Sequence, residues 1–192
     1  MLLALAATAA LAAGPAVFDH SSFDRLLKAH VADGRVDYDA FAPSPEFPRY
    51  LEALSRARPE ALDKKERLAF WINAYNAYTI QLVNAHGEHA SIRNIDKTLG
   101  VVKAMGPWKE EMVKAGGLTT SLDFVENGII RKQFKEPRIH FALVCAARSC
   151  PPLRSEAYTG ARVDAQLDDQ ARLFIARSPE KNRVTWSTRP ST

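Results

Sequence analysis

A chain of 192 residues, 46% hydrophobic and 25% charged, has the makeup of one soluble globular domain large enough to bury a sizeable core. Its 26 lysines and arginines against 22 acidic residues give a net charge of +4. The basic residues are scattered rather than gathered into a stripe, so nucleic acid is not an expected partner.

Met1 to Ala13 is an uncharged run rich in alanine and leucine, and Asp19 is the first charged residue. The run is too short to span a bilayer and reads as the apolar region of a secretory signal, although no basic residue precedes it. Small residues at Ala10-Leu11-Ala12 and Gly14-Pro15-Ala16 offer cleavage sites. The expected division is a signal peptide over 1–16 and a single domain over 17–192, periplasmic or secreted. Nothing later in the chain resembles a transmembrane helix, so no integral membrane segment is expected in the mature protein.

Phe23, Leu26 and Leu27 recur at helical spacing within Phe18 to Val31, with Ser21 and Ser22 as cap candidates and Gly34 as the stop. Pro43, Pro45 and Pro48 mark a turn-rich connection before a short helix around Arg49 to Arg56. The strongest helical pattern runs from about Lys65 to His86, with Gly87 as its C-terminal cap. Trp71, Ile72, Tyr75 and Tyr78 lie on its wide apolar face, and Asn76 projects into that arc with Asn73 at its margin. Buried asparagines either pin a loop backbone or orient a functional group. His86 to Gly117 reads as a long irregular excursion.

Thr120 to Phe134 reads as another helix, opened by a capping-box-like Thr120 and Asp123. Glu126 falls on its apolar face between Leu122 and Ile130, so its charge needs a partner. Regular α-helical spacing points Arg131 elsewhere, which sends the search for that partner to another element. Arg138 to Cys145 alternates like a strand, with His140 on one face and Cys145 among the apolar residues of the other. A last amphipathic helix spans about Ala165 to Arg177.

Both cysteines fall in I-H-F-A-L-V-C-A-A-R-S-C-P-P-L, from Ile139 to Leu153. Proline favours the first position of a helix, so Cys150 is placed at the start of a short turn over Pro151 to Ala157. That position, with Arg148 and Arg154 close in sequence, would favour the thiolate. Cys145 reads as a small core residue. In an oxidising compartment the two could instead pair, given a turn between them. The C-x4-C spacing suits neither zinc nor a C-x-x-C redox motif, and no phosphate loop or G-x-S-x-G elbow is present. No metal and no cofactor is therefore expected.

W-I-N-A-Y-N-A at Trp71 to Ala77, S-L-D-F-V-E-N-G-I-I-R at Ser121 to Arg131 and R-I-H-F-A-L-V-C-A-A-R-S-C-P-P-L at Arg138 to Leu153 resemble the family catalogued as domain of unknown function 547. The resemblance extends over about Phe18 to Ile175 and implies an exported bacterial protein. It sets recurrent polar positions on Asn73, Asn76, Glu126, Arg131, His140 and Cys150. Two departures accompany it: Asn127 stands where relatives often carry histidine, and the expected C-terminal segment is missing, which implies a truncated end.

The expected architecture is α+β, a helix-rich single domain with a small antiparallel sheet that includes the His140 strand, in the manner of papain-like or transglutaminase-like enzymes. The expected function is a thiol-dependent hydrolase or acyltransferase acting on amide or thioester bonds in the periplasm, with a peptide or small-molecule acyl substrate. Cys150 would attack, His140 would accept its proton and Glu126 would orient the imidazole. Asn73, Asn76, Arg131 and Ser149 would bind or orient. The alternative is a non-catalytic exported binding or scaffold domain closed by a Cys145–Cys150 disulfide.

Overall fold

Asp63 opens the longest helix by accepting the backbone N–H groups of Lys65 and Glu66 at 2.8 and 2.9 Å, and Gly87 closes it in the left-handed conformation at φ 57°. This helix, α4 (Lys64–His86), belongs to a computed structural model that describes residues 16–87, 106–146 and 150–177. From Leu68 to Ile80 every residue of α4 is buried, so the amphipathic face read from its spacing is instead burial on all sides. The rest of the domain is built around it.

Before it come α1 (Ser21–His30), the two-residue strands β1 (Val31–Ala32) and β2 (Arg35–Val36), α2 (Tyr38–Phe41) and α3 (Glu46–Arg56). Phe23 stacks on Tyr50 with centroids 4.8 Å apart, tying α1 to α3. After α4 a second hairpin pairs β3 (Val113–Ala115) with β4 (Leu118–Thr120). Its turn is Gly116-Gly117, both at positive φ, a two-glycine hairpin signal inside what the pattern suggests is irregular chain and helix start. Thr120 is therefore in a strand, and Ser121 takes the cap by accepting the N–H of Phe124 at 3.2 Å. A π-helix (Phe124–Ile130) runs directly into α5 (Arg131–Phe134), and α6 (Val163–Arg177) ends the described chain. The fold is thus α+β, helix-rich with two small antiparallel sheets.

Neither sheet contains His140. Pro137 to Phe141 forms a 3-10 helix, opened by Pro137 and by the Glu136 carboxylate accepting the Arg138 N–H at 3.0 Å. Pro151 to Ala157 is likewise not helical. Among the described residues no helix is long and apolar enough to cross a membrane. The expected leader over Met1 to Ala13, the tail from Ser178, much of the 86–117 excursion and the loop residues Arg148 and Ser149 lie outside the described residues.

Candidate functional site

Two asparagines on α4 serve as substitutes for strand partners. Asn73 Nδ2 donates to the Tyr158 carbonyl at 2.8 Å, while its Oδ1 accepts the Tyr158 N–H at 2.9 Å. One turn further on, Asn76 donates to the Ala142 carbonyl and accepts the Val144 N–H, both at 3.0 Å. The chain at 142–144 is buried and, lacking a neighbouring strand, satisfies these backbone groups on the amide instead. That clamp holds the segment between His140 and Cys145 against α4.

The π-helix carries the charged part of the site. Its winding brings Arg131 Nη2 to 2.8 Å from Glu126 Oε1, and the Arg131 N–H bonds to the Glu126 carbonyl. The expectation that Arg131 points away from Glu126 is corrected here. Five residues along an α-helix turn a side chain about 140° off its starting direction, whereas a π-turn closes that interval with an i→i+5 bond. Gly128 leaves room for the Phe124 ring, since a Cβ there would sit 2.8 Å from it.

Glu126 also shares the cavity wall with Tyr75, a buried residue of α4. Burial and the adjacent carboxylate both hold the Tyr75 phenol well above its ordinary range. On the other side, Arg131 Nη2 lies 3.4 Å from His140 Nδ1. A guanidinium only donates, so that contact makes Nδ1 the acceptor and puts the proton of the neutral ring on Nε2. Arg131 therefore stands between Glu126 and His140, forming the order Tyr75, Glu126, Arg131, His140.

Cys145 and Cys150 are joined in a disulfide, with Cα atoms 5.9 Å apart. Cys145 is half-buried at the rim of a cavity rather than packed in a core strand. Cys150 has no helix behind it, and Arg154 turns away to bond Glu156 at 2.7 Å and Asp169. The two influences expected to favour a thiolate within the described residues, a helix N-terminus and Arg154, are thus both directed elsewhere.

One cavity of about 390 Å³ gathers Tyr75, Glu126, His140 and both cysteines into its wall. Phe141 and Phe174, with rings 5.3 Å apart, supply part of its apolar lining. Its size suits a small ligand or one side chain of a larger one. Asn73 and Asn76 stand behind the site as backbone clamps. Tyr75 enters as a polar member that helical spacing alone marks as core; the available signal was a phenol on a buried face, which needs a hydrogen-bond partner. A second cavity of about 410 Å³, beside Lys28, Arg154 and Asp169, contains none of the expected site residues. Among the described residues no group of three or more histidine, cysteine or acidic side chains is placed to hold a metal.

The protein is therefore a helix-rich α+β domain whose cavity is walled by a disulfide on one side and a tyrosine, carboxylate and histidine on the other. Residues 59–175 match the family model described as "Protein of unknown function, DUF547", more than half of the chain, and the chain belongs to that family. No curated protein and no solved structure matches it.

Proposed function

We propose that this protein is a thiol-dependent hydrolase or acyltransferase acting on amide or thioester bonds, with Cys150 as nucleophile once it is released from Cys145. The observation that carries the reading is convergence: Cys150, His140 and Glu126, from separate segments, line one cavity. In the reduced protein the Cys150 sulfur attacks the substrate carbonyl, and its proton passes to His140. The tetrahedral intermediate then collapses to an acyl-enzyme, and the leaving group takes that proton. Base action at Nδ1 requires the long contact to Arg131 to open. The leader-like run at Met1 to Ala13 and the disulfide both favour the periplasm or the cell exterior as its location.

A second reading, a non-catalytic exported binding or scaffold domain, is favoured by the disulfide itself and by the ion pair that occupies Glu126. The two are separated by assaying the dithiol-reduced protein on a panel of acyl thioesters and peptide amides. Turnover that disappears in Cys150→Ala and falls about 10²-fold or more in His140→Ala supports the enzyme. Absence of turnover across the panel, with Cys150 freely alkylated, gives the scaffold reading the lead.

A further inference from the structure

The disulfide closes a loop only five residues apart in sequence and joins no distant parts of the fold. Chain on either side of it is already fastened by other means. Before it, Asn76 of α4 clamps 142–144; after it, Gln170 of α6 donates to the Pro152 carbonyl. A cross-link of so short a loop removes little freedom from the unfolded chain, so its stabilising effect lies low in the range for disulfides. Its position is chemically exposed instead, since both cysteines are half-buried and line the same cavity as His140 and Glu126.

We infer that Cys145–Cys150 is a thiol–disulfide exchange site, in which Cys145 acts as a removable lock on the Cys150 sulfur and a dithiol is the reductant. The functional consequence rests on the thiol-enzyme reading above; the exchange chemistry stands apart from it. A thiolate of the dithiol attacks one sulfur, breaking the Cys145–Cys150 bond and forming a mixed disulfide. The second thiol of the reductant displaces the protein sulfur. Two electrons and two protons pass to the protein, which ends as two thiols, and the reductant leaves as its own disulfide. Oxidised, the cavity is closed to covalent chemistry; reduced, it presents Cys150 in the same wall as His140.

The test uses the full chain with dithiothreitol as the dithiol probe, quenched by acid, alkylated with iodoacetamide and read by mass at each cysteine. Circular dichroism is followed in parallel. The expected result is full reduction under native conditions with the helical signal retained, and at least a 100-fold rise in Cys150 labelling. Cys145→Ser, with Cys145→Ala as a second variant, labels at Cys150 without reductant at the rate of the reduced wild type. Resistance of the disulfide until the protein unfolds, or loss of the helical signal on reduction, overturns the lock and makes the bond a structural one. Unlabelled Cys150 in the two folded Cys145 variants overturns it as well. Labelling without turnover of any thioester or amide sustains the lock and counts only against the catalytic reading.

Discussion

Arg131 and Glu126, five positions apart on one helix, are joined twice, by the backbone bond of a π-turn and by a 2.8 Å ion pair between their side chains. The arrangement places a cation against a carboxylate that also raises the pKa of the buried Tyr75 phenol, and extends the same cation to His140. π-turns inside helices are rare and recur at functional sites. Here the turn decides what the carboxylate can do: Glu126 is committed to Arg131, and its influence on His140 passes through the guanidinium.

Because Glu126 has a buried second partner and Arg131 does not, the two ends of this ion pair should cost differently when removed. Glu126→Ala removes the carboxylate that acts on the buried Tyr75 phenol and is expected to cost about 1–3 kcal/mol. Arg131→Ala, losing a partly exposed pair, is expected to cost under about 1 kcal/mol. Urea denaturation of the two variants checks this, and equal losses would show that Tyr75 does not depend on Glu126.

Asn76→Ala removes the partner of two buried backbone groups, the Ala142 carbonyl and the Val144 N–H. At roughly 1–3 kcal/mol for each unsatisfied group, a loss of about 2–6 kcal/mol is expected. The slack should also reach the cysteine loop, so reduced Asn76→Ala should label less selectively at Cys150 over Cys145. Wild-type stability and selectivity in this variant would argue that water or a local shift replaces the clamp.

His20 is expected to make stability depend on pH between neutrality and about pH 4. It is buried against Phe18, Tyr50 and Phe70, its Nδ1 lies 2.7 Å from the Tyr50 hydroxyl, and its Nε2 has no partner. Burial pushes its pKa down to about 4, outweighing the upward pull of the Asp19 carboxylate. The folded value lies below the unfolded value of 6.5, so between these pH values the unfolded chain binds more protons. Stability from the neutral ring is full above pH 6.5, falls as pH drops towards 4, and loses about 3 kcal/mol across that window. Denaturation midpoints from pH 7 to 4 should show this slope in wild type and a flatter one in His20→Phe; parallel curves would reject it.

Gly160 donates its N–H to Glu66 Oε2 at 2.6 Å, and an added Cβ would lie 2.7 Å from the Glu66 Cα and backbone nitrogen. That neighbour is the backbone of α4, which cannot swing aside as a side chain can. Gly160→Ala is expected to lower stability by about 1–3 kcal/mol through forced separation of the Tyr158 loop from α4. A melting temperature equal to that of wild type would mean the loop relaxes freely.

Much of the helical framework was legible because its signals act within a turn or two of chain. The apolar spacing and Gly87 locate α4 nearly to its ends, and the same holds for α1 and α6. The Gly116-Gly117 hairpin was missed in spite of its two-glycine turn, because its strands are only three residues long, too short to show alternation. The strand expected at His140 misleads for a definite reason. The alternating residue types there belong to a 3-10 turn followed by a buried stretch held on Asn76, and sequence period alone does not distinguish that from pairing with another strand.

From sequence alone came the family, the α+β class and the candidates Asn73, Asn76, Glu126, Arg131, His140 and Cys150, since motif residues and helical period are local properties of the chain. Tertiary structure decided what each candidate touches. The clamps from α4 reach residues 66 to 85 positions away, and the π-turn reverses the direction in which Arg131 points. Cys145 and Cys150 are joined at the cavity wall, with Cα atoms 5.9 Å apart. Such contacts depend on how far-separated segments pack round one buried helix, and no local pattern of spacing carries that information.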